Sequence, residues 1–242
     1  MLGVVIHRSG QGTSIPNELS NEAIDIYDNA MLIIALKTLI DMLPNATKTE
    51  EWKALKKTLE TNSRRYLWDH GKQKFIPHIY PDRSPLPAGF DENTIHYHGG
   101  TTIAIEANLL THDEIKIVNK QMLQNVQLSG MPSIGLTIYP TYPINFFKGS
   151  MAQPYQYQNG GDWTWFGGRT IQQLVHNGFY QEAYEQLQPM IDRVVKNKGF
   201  YEWYGKNNVP SGSGKFKGSA GVLSKAISLM NQWAKNTVGQ QQ

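Results

Sequence analysis

Residues 30–36 read Ala30-Met31-Leu32-Ile33-Ile34-Ala35-Leu36, an unbroken apolar run inside a segment, residues 21–43, that contains neither Gly nor Pro. Such a run is long enough to present apolar side chains on every face of an α-helix. A helix that is apolar on all faces is buried on all sides in a globular protein. The stretch therefore predicts a helix over residues 21–43 with residues 30–36 in the interior.

The helices that follow alternate between buried and amphipathic types. After Pro44, apolar side chains recur at helical spacing between Lys and Glu residues, as expected of a helix at the surface; they are Trp52, Leu55, Leu59 and Tyr66. The pattern repeats with buried helices at 101–110 and 163–175, amphipathic helices at 112–126 and 181–195, and a last helix at 216–233. The inner layer is expected to contain residues 30–36, 103–110 and 165–174.

This alternation predicts an all-α fold in which an inner ring of helices is shielded by an outer ring, an (α/α) toroid of helical hairpins. Six hairpins need about twelve helices, and the sequence predicts about seven. We therefore expect an incomplete (α/α)6 barrel that lacks N-terminal hairpins. Residues 1–242 are expected to form a single domain, with residues 1–18 as an irregular lead-in.

Composition excludes several classes of protein. The 242 residues, 40% of them hydrophobic, suffice for a core, and the absence of Cys excludes thiolate catalysis and disulfide scaffolds. The net charge of +3 is spread without a basic run, which argues against nucleic-acid binding. No segment approaches the roughly 18 apolar residues of a membrane span, and the apolar start is too short for a secretory signal. We expect a cytoplasmic protein that does not bind a membrane.

Three long connections, residues 69–100, 130–162 and 198–215, are rich in Gly, Pro and aromatic residues. Loops of this length in a compact domain are usually functional. They contain three strings that combine glycines, aromatic rings and polar groups: Ile95-His96-Tyr97-His98-Gly99-Gly100-Thr101-Thr102-Ile103-Ala104-Ile105-Glu106, Pro154-Tyr155-Gln156-Tyr157-Gln158-Asn159-Gly160-Gly161-Asp162-Trp163-Thr164-Trp165, and Gly199-Phe200-Tyr201-Glu202-Trp203-Tyr204.

In their order along the chain, these strings and Tyr27-Asp28-Asn29-Ala30-Met31 resemble the six-hairpin glycoside hydrolases. The motif order is most similar to that of the alkaline/neutral invertases, with glycogen-debranching and trehalase-like relatives behind, over residues 25–229. The segment Lys217-Gly218-Ser219-Ala220-Gly221 and the charge of Asp162 depart from the invertase pattern and favour a substrate other than sucrose.

The resemblance implies a glycosidase that acts on an α-linked glucoside or a related oligosaccharide, by inversion and without a cofactor. Glycoside hydrolysis requires two carboxyl groups, and the resemblance assigns Asp28 as the general acid and Glu202 as the general base. The residues expected to bind the sugar are His96, His98, Tyr157, Asn159, Asp162, Trp163, Trp165, Tyr201 and Trp203.

Structural roles compete with these assignments. Asp28 and Asp162 each precede or begin an apparent helix, where Asp commonly caps backbone N–H groups. The pair Asn159-Gly160 is common in turns, and Glu106 is expected to be a buried, hydrogen-bonded carboxylate.

Other functions also remain open. His96 and His98 lack the Cys or acidic partners of a metal site, so no metal is expected. A sugar isomerase or epimerase would use one of these histidines as its base. A non-catalytic carbohydrate-binding relative, a truncated pseudo-enzyme and a helical scaffold for protein partners are further alternatives.

Overall fold

The computed structural model describes residues 7–9, 21–147 and 149–239. The chain divides into two compact units, Met1–Asn119 and Lys120–Gln242. Most of the predicted lead-in over residues 1–18 lies outside the described residues. Its one described part, His7–Ser9, is a strand rather than irregular chain.

The described residues of the first unit form three α-helices and the start of a fourth. In chain order its elements are β1 (His7–Ser9), β2 (Asn21–Ala23), α1 (Ile26–Met42), α2 (Thr49–Asn62), a π-helical turn (Ser63–Leu67), β3 (Trp68–Asp69), β4 (Lys74–Phe75), a 3₁₀ turn (Glu92–Thr94), β5 (His96–Tyr97), α3 (His98–Glu106) and α4 (His112–Ser129). The pairs β1–β2 and β3–β4 are antiparallel. Helix α1 packs against both α2 and α3.

Helix α1 is buried along one stripe. Ile26, Ala30, Ile33 and Leu36 are buried, at the three- to four-residue spacing of one helix face. Ala35 is exposed, and Met31, Leu32 and Ile34 are only half-buried. The prediction that residues 30–36 are buried on every side is therefore wrong. The buried stripe is accounted for by the packing of α1 against α2 and α3.

Helix α3 begins and ends earlier than predicted. It spans His98–Glu106 rather than residues 101–110. Asn108 has a φ of 57°, and a residue in this left-handed conformation commonly ends a helix. Leu109 and Leu110 are nevertheless buried, so the predicted interior location of this segment holds although its last residues are not helical.

The second unit is built around α5. Its elements are β6 (Ile138–Tyr139), a 3₁₀ turn (Gly149–Met151), α5 (Thr164–His176), α6 (Tyr180–Asn197), β7 (Trp203–Tyr204), a 3₁₀ turn (Lys206–Asn208), β8 (Pro210–Ser211) and α7 (Lys217–Gly239). Strands β7 and β8 pair antiparallel. Helix α5 packs against α6 and α7, and a side chain at Gly167 would collide with Met190 of α6.

Most positions of α5 are buried, while α6 buries a single stripe that includes Ala183, Leu187 and Met190. This is the predicted pairing of a buried with an amphipathic helix. The predicted all-α fold class is confirmed. Within the described residues, no helix combines the length and the apolar character that crossing a lipid bilayer requires.

Candidate active site

Glu202 lies in the second unit, on the segment that leads into β7. Its backbone N–H donates to the carbonyl of Ser213 at 3.0 Å, and its Oε2 accepts a long hydrogen bond of 3.5 Å from the backbone N–H of Ser213. Gly212 has a φ of 71°, and a Cβ at this position would lie 2.5 Å from Oε2 of Glu202. The carboxylate therefore rests against a turn that requires glycine, and it is half-buried.

Three of the predicted aromatic residues gather near this carboxylate. The ring of Tyr157 lies 4.9 Å from Trp163 and 6.4 Å from Trp203, both edge to face. Burial raises the pKa of Tyr157, and the negative charge of Glu202 raises it further. Tyr157, Trp163 and Trp203 thus form one aromatic group beside Glu202. Trp163 is 6% exposed, which contradicts its predicted contact with a sugar. The half-buried rings of Tyr157 and Trp203 present apolar faces on which a sugar ring packs.

The other two predicted aromatic residues have different surroundings. Trp165 lies edge to face with Phe166 at 4.9 Å, beneath the guanidinium of Arg169 at 4.5 Å. Tyr201 lies 6.1 Å from the ring of Tyr204. Phe166 is also 6.4 Å from Trp163, so Trp165 extends the aromatic group.

Asn159 holds the loop that carries Tyr157. It is fully buried, its Oδ1 accepts from the backbone N–H of Tyr142 at 2.9 Å, and its Nδ2 donates to the carbonyls of Tyr142 and Met151. The predicted contact of Asn159 with the sugar is therefore not what the structure shows, because its amide is buried in the loop. The turn interpretation of this segment fits the structure instead.

The buried carboxylate of Asp162 also differs from its predicted role. Asp162 has no exposed surface, and its carboxylate accepts from Arg193 Nη1 at 2.8 Å and from Ser133 Oγ at 2.7 and 2.9 Å. A carboxylate enclosed in this way does not reach a ligand, so the predicted sugar contact of Asp162 is contradicted. The carboxylate also does not cap α5, because its partners are the side chains of Arg193 and Ser133. Burying a charge is costly unless it is paired with an opposite charge. The guanidinium of Arg193, itself fully buried, supplies the positive charge that pairs with Asp162.

In the first unit, Asp28 is not the residue that caps α1. The N-cap of α1 is Asp25, whose Oδ1 accepts from the backbone N–H of Asp28 at 2.9 Å. Asp28 itself stands in the first turn and is half-buried. Burial raises the pKa of Tyr97, and the charges of Asp25 and Asp28 raise it further. These two carboxylates therefore lie near Tyr97.

The two histidines of the first string are not equivalent. His98 is 1% exposed at the start of α3, which contradicts its predicted contact with a sugar because the side chain is enclosed by protein. His96 is half-buried, and burial together with the charges of Lys74 and Lys72 lowers its pKa from 6.5 to about 4. His96 is therefore neutral near pH 7. Glu106 is half-buried rather than buried.

The first unit also holds a polar cluster that the motifs did not indicate. Oε1 of Glu92 lies 2.8 Å from His78 Nδ1 and accepts from the Tyr80 hydroxyl at 2.9 Å. The ring of His78 is 6.3 Å from that of Tyr97. These residues lie in a loop and follow no periodic pattern. The sequence indicates the cluster only through the occurrence of His, Tyr and Glu residues close together in this loop. Within the described part of the chain, no group of three or more His, Asp or Glu has the arrangement of a metal site.

Comparison with solved structures identifies the fold. Two structures of the GH63 mannosylglycerate hydrolase from Thermus thermophilus match: the complex with glucose, at 17% identity and a TM-score of 0.63, and the complex with Tris and D-glycerate, at 16% identity and a TM-score of 0.60. They cover 88% and 87% of this chain, which spans 46% of each of those chains. An uncharacterized conserved protein from the same organism matches at 16% identity, with a TM-score of 0.58, over 88% of this chain and 47% of that one.

At these identities the likeness establishes the fold, and this chain spans about half of the length of the structures it matches. No family model and no curated protein sequence matches the chain.

The pKa of His96 predicts a pH dependence of stability. The folded value is about 4 against an ordinary value of 6.5, so between these pH values the unfolded chain binds more protons than the folded one. The stability that His96 contributes is present above pH 6.5 and is lost as the pH falls toward 4. When the pH is lowered from 7 to 4.5, the free energy of unfolding measured by urea denaturation should therefore fall less for His96→Gln than for the wild type. His112→Gln, at an exposed histidine, should behave as the wild type, and identical losses in all three proteins would contradict the prediction.

The turn at Gly212 predicts a second measurable difference. Gly130 and Gly212 have φ values of 67° and 71°, but a Cβ meets no atom within 4 Å at Gly130 and meets Glu202 at Gly212. Gly130→Ala should lower the free energy of unfolding by about 1–2 kcal/mol, the cost of placing an L-residue with a side chain in the left-handed conformation. Gly212→Ala should cost more, since it also displaces the Glu202 side chain. Denaturation curves that show equal losses for the two variants would mean that Glu202 is not held against this turn.

Proposed function

We propose that this chain forms part of a glycoside hydrolase that acts on an α-linked glucoside or a related oligosaccharide by inversion. The observation that supports this most is the half-buried carboxylate of Glu202 beside the half-buried rings of Tyr157 and Trp203. A carboxylate next to stacking surfaces is the arrangement needed to bind a sugar and act at its anomeric carbon.

In the proposed reaction Glu202 is the general base and Asp28 the general acid. Glu202 removes a proton from a water molecule, whose oxygen forms the new bond to the anomeric carbon. The bond from that carbon to the leaving oxygen breaks, and Asp28 donates a proton to this oxygen. The cap formed by Asp25 supports this role for Asp28, because the helix start does not use the Asp28 carboxylate as its N-cap.

A non-catalytic carbohydrate-binding relative is the second candidate. It requires only the aromatic group beside Glu202, whereas hydrolysis also requires a second carboxyl group. The aromatic group beside Glu202 would serve either protein, so binding alone does not separate them. An isomerase based on His98 is disfavoured by the burial of that residue.

Replacing Glu202 separates catalysis from binding. Glu202→Gln keeps the shape of the side chain but cannot accept the proton, so turnover should fall by about 10²- to 10⁴-fold while sugar binding is largely retained. Turnover is measured on α-linked gluco-disaccharides, sucrose and mannosylglycerate, and binding is measured through tryptophan fluorescence. Glu185→Gln, on the exposed side of α6, is the matched control and should keep the activity of the wild type.

Two results bear on the choice between the candidates. Unchanged turnover in Glu202→Gln would exclude Glu202 as the base. Sugar binding by the wild type without turnover of any glycoside in the panel would favour the non-catalytic relative.

Replacing Asp28 tests the proton donor. An activated aryl leaving group needs less protonation than a sugar hydroxyl, so Asp28→Asn should lose far more activity on a disaccharide than on an aryl α-glucoside. The ratio of kcat/KM for the two substrates is compared between the variant and the wild type. The control is Asp41→Asn, an exposed residue of the same helix, which should leave the ratio unchanged. An equal loss on both substrates would exclude Asp28 as the general acid.

A further inference from the structure

Asp162 and Arg193 are the two charged side chains of a fully buried ion pair in the second unit, joined by Oδ1 and Nη1 at 2.8 Å. The second guanidinium nitrogen of Arg193, Nη2, donates to the hydroxyl of Thr164 at 2.7 Å. The pair therefore ties α6, which carries Arg193, to the start of α5. The single hydroxyl proton of Ser133 is shared between the two oxygens of the same carboxylate, which lie 2.9 and 2.7 Å from Oγ.

The backbone of Asp162 is connected to the segment that carries Glu202. Its N–H donates to the carbonyl of Tyr204 at 2.9 Å, and the N–H of Tyr204 donates to the carbonyl of Asp162 at 2.8 Å. The guanidinium carbon of Arg193 also lies 4.0 Å from the centre of the Tyr204 ring. Both the main chain and the side chain of Tyr204 are thus held by the ion pair.

The residues next to these anchored positions are those of the candidate site. Trp163 follows Asp162 directly, while Trp203 and Glu202 precede Tyr204 by one and two residues. A displacement of Tyr204 would therefore move Trp203 and Glu202 relative to Trp163. When a mutation far from the reacting atoms misplaces the catalytic groups by about 1 Å, the rate can fall by about 100-fold.

We propose that Asp162 and Arg193 are positioning residues of the active site, which act by fixing the Glu202–Tyr204 segment against Trp163. This inference rests on the proposed function of Glu202 and goes beyond it by assigning a role to a pair that does not touch the substrate. An Arg fork has two nitrogens that bind Asp162 and Thr164 together, whereas Lys offers a single ammonium. Arg193→Lys should consequently be impaired despite its unchanged charge.

The experiment compares Asp162→Asn and Arg193→Lys with Leu187→Ala, a control that removes a buried side chain from α6. Amide hydrogen exchange is measured at Glu202 and Tyr204 under conditions in which every variant is folded, together with kcat and KM. We expect faster exchange at these two amides in the pair variants, with kcat about 100-fold lower and KM little changed. Leu187→Ala should lose stability but keep both the exchange at these amides and kcat.

The results distinguish failure of this inference from failure of the proposed function. Unchanged exchange at Glu202 and Tyr204 in Asp162→Asn would overturn the positioning role, as would faster exchange accompanied by an unchanged kcat. A wild type without hydrolytic activity would overturn both the proposed function and the catalytic meaning of the pair. If Arg193→Lys matches the wild type in both readouts, the requirement for the guanidinium fork is wrong.

Discussion

The structure of the second unit depends on the enclosed charges of Asp162 and Arg193. Neither side chain has exposed surface, and leaving one of two buried charges without its partner costs about 3–5 kcal/mol. The carboxylate therefore has to lie where Arg193 and Ser133 meet it, and the backbone of Asp162 then sets the place of Tyr204. The location of Glu202 is a consequence of this arrangement, because only one residue separates it from Tyr204 in the sequence.

One glycine and one asparagine also hold the loops of the second unit in place. Gly212 leaves room for the Glu202 carboxylate, and the buried amide of Asn159 satisfies three backbone groups around Tyr142 and Met151. Sites built on loops need such internal hydrogen bonds, because an irregular backbone does not satisfy its own polar groups as a helix does. The aromatic group formed by Tyr157, Trp163 and Trp203 is held by this framework, including a hydrogen bond of 3.0 Å from Trp163 Nε1 to the carbonyl of Tyr157.

Much of the helical pattern was predictable, while the polar roles were predicted less well. The apolar spacing placed the first residues of α5 and α6 within one position of where they lie, since periodicity reports which face is buried. Four residues that the sequence predicts to bind sugar are buried instead: His98, Asn159, Asp162 and Trp163. A polar residue in a loop has the same appearance in sequence whether it faces a ligand or a buried partner, and Arg193 lies 31 residues from Asp162.

The all-α class, the alternation of buried with amphipathic helices and the chemical character of the loops can be read from the amino-acid sequence, because they follow from local periodicity and composition. The folded chain was needed to show which of two nearby carboxylates caps α1, Asp25 rather than Asp28, and which acidic residue of the second unit is enclosed, Asp162 rather than Glu202. The role of a carboxylate is set by the cations, N–H groups and solvent around it. Those neighbours come from distant parts of the chain, so local patterns do not reveal them.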